Sequence, residues 1–239
     1  MNIKEFEQIM TENLKQLNIQ LSDLQLEQFF KYMNILIEWN KVMNLTGITE
    51  PKEVIIKHFI DSLTVLNKID KQSKIIDVGT GAGFPGIPIK IAFPETEVVL
   101  LDSLNKRINF LNEVIEKLQL KNIKTIHGRA EDYGKDKIHR EKYDIAIARA
   151  VAPLNVLLEY LMPFVRINGK CICMKGSNLE EEIENSNNSV KVLGGKVINK
   201  EEFFIPNTDI KRSIIEIEKI KNTSNTYPRK AGIPTKKPL

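Results

Sequence analysis

The sequence predicts a doubly wound α/β fold: a mostly parallel sheet that ends in an antiparallel hairpin and is preceded by a helical extension. Three observations carry this prediction. From about residue 71 onward, short apolar runs alternate with helix-length segments, the pattern of a parallel sheet covered by helices on both faces. A glycine-rich turn follows the first of these runs, where doubly wound folds place their ligands. Before residue 70, apolar residues recur at three-to-four spacing, as helices require. The 239 residues therefore divide into a helical cap (1–70), an α/β domain (71–221) and a basic tail (222–239).

The cap is predicted from Ile9, Leu14, Leu17, Leu24, Leu26, Phe29, Phe30, Met33, Leu36 and Ile37, which form a helical stripe. Ser22 followed by Gln25 makes a capping box for its second helix. Pro51 starts a third helix bearing Val54, Ile55, Phe59 and Leu63, since proline suits the first helical turn. Strands are then expected at Lys74–Val78, Glu97–Asp102, Ile123–His127, Asp144–Arg149 and Lys170–Met174, with helices over Asn105–Leu118 and Leu154–Val165. The alternation stops at Lys196–Ile205 and Ser213–Ile217, two runs around a Pro-Asn-Thr-Asp turn at 206–209. Consecutive strands joined by so short a loop pair antiparallel. A doubly wound sheet with such an ending is the outline of the class I, Rossmann-like methyltransferases.

Composition narrows the class. With 42% hydrophobic and 28% charged residues the chain has material for a real core. The start, Met1 to Glu7, lacks the basic-then-apolar pattern of a secretory signal. No apolar run approaches the length that spans a bilayer, so a cytoplasmic protein is expected. Cys171 and Cys173 lie two apart in a strand and face the same side. With no second Cys or His pair at ligand spacing, they read as buried structural thiols, and no metal is expected.

The glycine loop runs Asp77-Val78-Gly79-Thr80-Gly81-Ala82-Gly83-Phe84-Pro85-Gly86. Its Gly81–Gly86 stretch satisfies the dinucleotide pattern G-x-G-x-x-G, which alone is a weak signal. Dinucleotide loops present a helix N-terminus to a pyrophosphate. S-adenosylmethionine has no phosphate and instead offers a sulfonium, an ammonium and a carboxylate, so its site needs an acid near the loop. Asp77 is so placed in sequence, and Asp102, at the end of the second strand, suits a ribose hydroxyl pair in either cofactor class. Pro85 and Pro88 delay the regular helix beyond where a pyrophosphate would want it. The third strand ends in Gly128-Arg129-Ala130-Glu131-Asp132, where methyltransferases contact the adenine edge. The residues favour S-adenosylmethionine over NAD and leave both open.

The net charge of +4 is compatible with nucleic acid without establishing it. After Glu218 the chain carries Lys219, Lys221, Arg229, Lys230, Lys236 and Lys237 and no acid. Composition alone favours a solvated, frayed end for this stretch.

Taken together, the motifs resemble the bacterial 16S ribosomal RNA guanine-N7 methyltransferases, also called glucose-inhibited division protein B. The resemblance runs over nearly the whole chain. Its parts are Glu38-Trp39-Asn40 with Asn44-Leu45-Thr46, Lys57-His58-Phe59-Ile60-Asp61-Ser62, the glycine loop, Asp102 to Arg107, Gly128 to Glu131, Ala148 to Ala152 and Tyr227 to Pro234. It implies a cofactor site at Gly79, Phe84, Ala130, Glu131 and Arg149, alongside Asp77 and Asp102 read from the residues. It implies a guanine in small-subunit rRNA as substrate, and it shifts the reading of Arg229, Lys230, Lys236 and Lys237 from fraying to RNA contact.

The chemistry agrees with the resemblance. N7 of guanine has an in-plane lone pair and no proton, so its methylation needs positioning and dryness rather than a base. Enzymes acting on exocyclic amines commonly carry Asn/Asp-Pro-Pro-aromatic after the fourth strand, where this chain has Ala148-Arg149-Ala150-Val151. An arginine that gripped O6 and N7 together would occupy the attacking lone pair. Arg149 is therefore expected to contact the cofactor carboxylate or O6 alone, against the alternative of an ion pair at a strand end. No catalytic side chain is assigned. His58 reads first as packing or a cap, and Lys106 and Arg107 as phosphate contacts or solvated helix face. The rival functions are a small-molecule methyltransferase, a non-catalytic RNA-binding protein with a vestigial pocket, and an NAD-linked oxidoreductase.

Overall fold

The computed structural model describes residues 1–176 and 179–239. It contains a seven-stranded sheet in the order β3-β2-β1-β4-β5-β7-β6, with β1 Lys74–Val78, β2 Glu97–Asp102, β3 Ile123–His127, β4 Tyr143–Arg149, β5 Val165–Lys175, β6 Gly195–Phe204 and β7 Lys211–Lys219. The first five strands are parallel. The last two form the expected hairpin, and β7 inserts between β5 and β6, antiparallel to both.

The cap begins with α1 (Ile3–Gln16) and α2 (Asp23–Asn40). The Ser22–Gln25 capping box forms in full, satisfying two donors that a helix start leaves free. Pro51 opens α3 (Pro51–Val54), which widens into a π-helical stretch over Ile55–Ile60 and closes as α4 (Asp61–Leu63). Between the strands lie α5 (Gly86–Ala92), α6 (Asn105–Lys117), α7 (Ala130–Tyr133) and α8 (Leu154–Leu161). The helix expected to reach Val165 ends at Leu161, because Pro163 cannot donate to a helical ladder; a short 3-10 turn, Met162–Phe164, leads into β5. Two helices that the sequence did not predict, α9 (Leu179–Glu184) and α10 (Asn187–Leu193), follow β5.

Strand alternation splits the core in two. One face, with Ile75, Val98, Leu100, Ile145, Ile147 and Ile172, packs against α1, α2, the Ile55–Ile60 stretch, α5 and α6. The other, with Ile76, Val99, Leu101, Ala146 and Ile215, packs against α8 and α10. The cap thus shares one core with the sheet: Phe6, Phe29, Tyr32 and Phe59 are fully buried in it. Leu24 departs from the expected stripe and is 64% exposed, while Phe6 and Met10 supply buried contacts from α1. Cys171 and Cys173 are free and buried on the same face, and burial pushes the Cys173 thiol up to about 12, which makes both inert. No helix among the described residues is long and apolar enough to cross a membrane.

The tail is docked. Arg140 donates to the carbonyls of Gly134, Thr223, Ser224 and Tyr227, so that one guanidinium gathers the start of the tail. Arg229 then forms a fork onto Glu159 of α8 through Nε and Nη2, at 2.9 and 2.6 Å, and its backbone N–H donates to the same carboxylate. Glu159 is fully buried, so its charge has no solvent to fall back on. Arg229→Ala strands that carboxylate and is expected to cost about 3 kcal/mol, with Arg229→Lys recovering part of it. Urea denaturation of the two variants measures this, and a loss below about 1 kcal/mol for Arg229→Ala would mean that the pair does not hold the tail.

Candidate active site

A cleft of about 710 Å³ opens at the carboxyl ends of β1, β2 and β4, within the size range of small-molecule sites. Gly79, Thr80, Gly81, Ala82, Phe84, Asp102 and Arg149 line one part of it. Leu45, Thr46, Ile48, Lys57, His58 and Asp61 from the cap line another, and Phe203, Arg212, Ser213 and Ile214 from the hairpin complete it. The turn after β1 needs left-handed backbone at Gly79 (φ 71°) and Gly81 (φ 63°), which glycine adopts without penalty. A Cβ on Gly81 would meet no protein atom within 4 Å, so bare backbone forms the cleft floor there.

Asp77 departs from its expected position. It is fully buried beneath the loop and absent from the cleft lining. Its Oδ2 accepts from the Thr80 hydroxyl at 2.7 Å and the Gly86 N–H at 2.8 Å, tying both ends of the turn to β1. Its Oδ1 is buried without a partner. Burial pushes the carboxyl up to about 6, against the hydrogen bonds from Thr80 and Gly86. From the cap, the Tyr32 hydroxyl donates to the Ala82 carbonyl, holding the loop from above.

Asp102 stands in the cleft at 2% exposure. Its Oδ1 accepts from Leu104 N–H at 2.9 Å, and its Oδ2 from Gly81 N–H at 2.9 Å and Arg107 Nη1 at 3.2 Å. Oδ1 keeps an unused lone pair, and displacing Arg107 would free one on Oδ2. Ala130 and Glu131 do not line the cleft; the Glu131 carboxylate accepts instead from the Gly232 N–H of the tail. In the tail, Arg229 is committed to Glu159, while Lys230, Lys236 and Lys237 are exposed.

Arg149 is the hub. From the end of β4 its Nη1 reaches Asp61 Oδ2 at 3.0 Å and the carbonyls of Lys57 and His58 at 3.3 Å each. Its Nη2 lies 3.1 Å from His58 Nδ1, and the guanidinium sits 5.0 Å over the Phe84 ring. The His58 ring also stacks on Phe84, at 4.4 Å and 13°. Burial first, and the Arg149 charge second, lower the imidazole to about 3, so it is neutral at physiological pH. Arg212 shares Asp61 through Nε at 3.2 Å. Sequence reasoning singled out Arg149 but missed Asp61 and Arg212 as its company, since 88 and 63 residues separate Arg149 from them; only their occurrence in a quoted motif, for Asp61, was a signal.

Lining residues Lys57, Arg107, Arg149, Lys175 and Arg212 outnumber the lining acids Asp61 and Asp102, while Glu53 and Glu182 beside the cleft pair with Lys57 and Lys175, so the surroundings are only slightly positive. Among the described residues no group of three or more His, Cys, Asp or Glu is arranged to hold a metal ion.

Comparisons with known proteins agree with this architecture. The family model described as rRNA small subunit methyltransferase G (GidB) matches residues 25–214. Proteins named ribosomal RNA small subunit methyltransferase G from Alkaliphilus metalliredigens and Acetivibrio thermocellus are 51% and 54% identical to this chain. They cover 98% and 97% of it, and the matches span 99% and 96% of their own lengths. Among solved structures, M. jannaschii TYW2 in complex with AdoMet matches with a TM-score of 0.51 at 18% identity, over 63% of this chain and 71% of that one. MtNAS in complex with MTA and tNA matches at 0.55 and 13% identity, over 83% and 76%. These two likenesses establish the fold.

The Asp77 carboxyl holds its proton more tightly in the fold (about 6) than at its ordinary 3.8, so its contribution to stability falls as pH rises from about 4 through about 6. Asp77→Asn removes that titration. The stability of Asp77→Asn minus that of the native protein is therefore expected to grow over this window and level off above it. Chemical denaturation at stepped pH reads the difference, and a pH-independent gap would sink the assignment.

Proposed function

The chain belongs to the rRNA small subunit methyltransferase G family, and from that premise we propose that it methylates N7 of a guanine in 16S ribosomal RNA, with S-adenosylmethionine as methyl donor. The observation that carries the N7 reading is that the titratable acceptors lining the cleft are all tied to protein donors, and the one lone pair left on Asp102 Oδ1 is taken up by the ribose in this reading. His58 Nδ1 accepts from Arg149, Asp61 serves two arginines, and Asp102 accepts from two backbone amides and Arg107. A reaction that releases no proton from its nucleophile asks for no base, and N7 is such a nucleophile. Methylation of an exocyclic amine must shed a proton.

The residues fit the donor. Asp102 has acceptor capacity for a ribose hydroxyl pair, the Gly79–Gly81 backbone leaves room for close approach, and Phe84 offers an aromatic wall. Arg149 uses Nη1 and one N–H of Nη2 on protein acceptors, leaving Nε and the second Nη2 proton for a carboxylate. Held there, S-adenosylmethionine would supply an electrophilic methyl group on a positively charged sulfur, and these residues would keep it in line with the nucleophile. Asp77 acts at one remove, by fixing the loop's shape. The proposal thus narrows the cofactor set to Gly79, Phe84, Asp102 and Arg149, and keeps Ala130 and Glu131 at its margin.

The substrate enters past Lys57, Arg107 and Arg212, which are paired with Glu53, Asp102 and Asp61 and would exchange those partners for phosphates. Exposed Lys230, Lys236 and Lys237 extend the basic surface for the small ribosomal subunit, a partner found in the cytoplasm.

Radiolabelled methyl transfer to small subunits lacking the modification, with mapping of the labelled base, tests the whole reading. Label on a guanine N7 is expected. Tight cofactor binding without label on subunits or free rRNA would refute the substrate. A second measurement addresses Arg149: Arg149→Ala is expected to weaken cofactor binding by calorimetry and to lower turnover, and no change in either would remove its assigned contact.

A further inference from the structure

The cap brings a polar group to the cleft whose hydrogen-bonding direction can be deduced. Thr46 lies between α2 and α3, and its backbone is fixed by Asn40, whose Oδ1 accepts from Leu45 N–H at 2.8 Å and Thr46 N–H at 2.9 Å. The Thr46 hydroxyl oxygen accepts from Ile48 N–H at 3.1 Å and lies 2.9 Å from His58 Nε2. The donor in that second pair follows from the far side of the ring. Arg149 Nη2 faces His58 Nδ1, and a guanidinium has donors only, so Nδ1 carries the lone pair. The imidazole is neutral, being lowered to about 3 by burial, and its one proton is therefore on Nε2, directed at Thr46.

A hydroxyl oxygen has two lone pairs, and both are now filled. The Thr46 proton has no protein acceptor among the described residues, and Thr46 lines the cleft. The chain Arg149 to His58 to Thr46 thus converts a strand-end cation into a neutral donor with a single sense, presented from the wall that the cap contributes.

We propose that Thr46 is a specificity-determining residue that donates this hydrogen bond to O6 of the target guanine. The inference rests on the guanine reading above. O6 is the acceptor beside N7 on the same base edge, and adenine carries a donor amine in its place. A fixed donor meeting that amine would leave two buried donors unpaired, which discriminates more strongly than a missing contact. Donation to N7 itself would occupy the lone pair that must attack the methyl group. A neutral hydroxyl suits a base edge, whereas the cations around the mouth suit phosphates.

Full-length enzyme, unmodified small subunits and S-adenosylmethionine suffice for the test. Thr46→Val keeps the shape and removes the donor together with the acceptor that Ile48 N–H and His58 Nε2–H use, Thr46→Ser keeps both, and Thr46→Ala replaces the valine variant if that one does not fold. We expect Thr46→Val to lower kcat/KM for subunits by roughly tenfold or more and Thr46→Ser to recover most of the loss. Cofactor Kd by calorimetry stays within about twofold in both, well under what a lost hydrogen bond produces. Subunits carrying adenine at the mapped position supply a readout that a structural role would not move: preference for guanine over adenine narrows in Thr46→Val. Unchanged kcat/KM in Thr46→Val, an undiminished base preference, or a loss of cofactor affinity that accounts for the activity loss would each overturn the proposal. Failure of the native enzyme to label any subunit would instead refute the guanine reading itself, and the O6 contact with it.

Discussion

The site depends on one buried cation. The Arg149 guanidinium leaves the end of β4 and enters a region with 13% side-chain exposure, where it needs compensation from every direction. Asp61 supplies the charge, the Lys57 and His58 carbonyls and His58 Nδ1 supply acceptors, and the Phe84 ring supplies its π face. Four of these five come from the third helical segment of the cap. That segment is π-helical over Ile55–Ile60, a wider winding that turns carbonyls toward the arginine and that recurs at functional sites. Replacing such a cluster with apolar side chains often costs little stability, so its use is better sought in specificity than in folding energy. Here it fixes where the cap meets the strand ends and which tautomer His58 adopts.

Three aspartates near the strand ends, alike in sequence, have been given different work by their surroundings. Asp77 is wholly enclosed and is committed to Thr80 and Gly86, so its charge shapes a loop. Asp102 reaches the cleft and retains acceptor capacity, so its charge faces the open space of the cleft. Asp61 neutralises Arg149 and Arg212 and has little left over. Burial and partner count separate the three, and neither quantity is written in the local sequence.

That distinction explains what could be read in advance. Strand alternation, the glycine turn, the Ser22–Gln25 box and the terminal hairpin are local patterns, and each appears in the fold where its pattern lies. Asp77 was legible as important from its place before Gly79, but its direction was not, because period two fixes a face and says nothing of which atoms lie beneath it. Arg229 read as free basic charge because Glu159 lies 70 residues earlier, inside an apolar helix where an acid looks like a defect. Leu24 fitted a helical stripe and yet faces solvent, since it lies on the face of α2 turned away from the buried Phe29, Met33 and Leu36. Thr46, His58 and Arg149 belong to three separate segments, and no spacing rule joins them.

The cap is more than a lid by this account. A glycine loop and an acid at the end of β2 are general equipment for a nucleoside-bearing cofactor, and they leave the choice of methyl acceptor open. What distinguishes one acceptor from another must come from the remaining walls, and here these are the cap and the hairpin. The cap is tied to the glycine loop, because Tyr32 donates to Ala82 and Phe84 stacks between Tyr32 and His58. The group proposed to read the acceptor is therefore mechanically continuous with the groups proposed to hold the donor. For a displacement governed by distance and alignment, that shared rigidity is the catalytic contribution to be expected from a site whose imidazole and acids are held by protein donors.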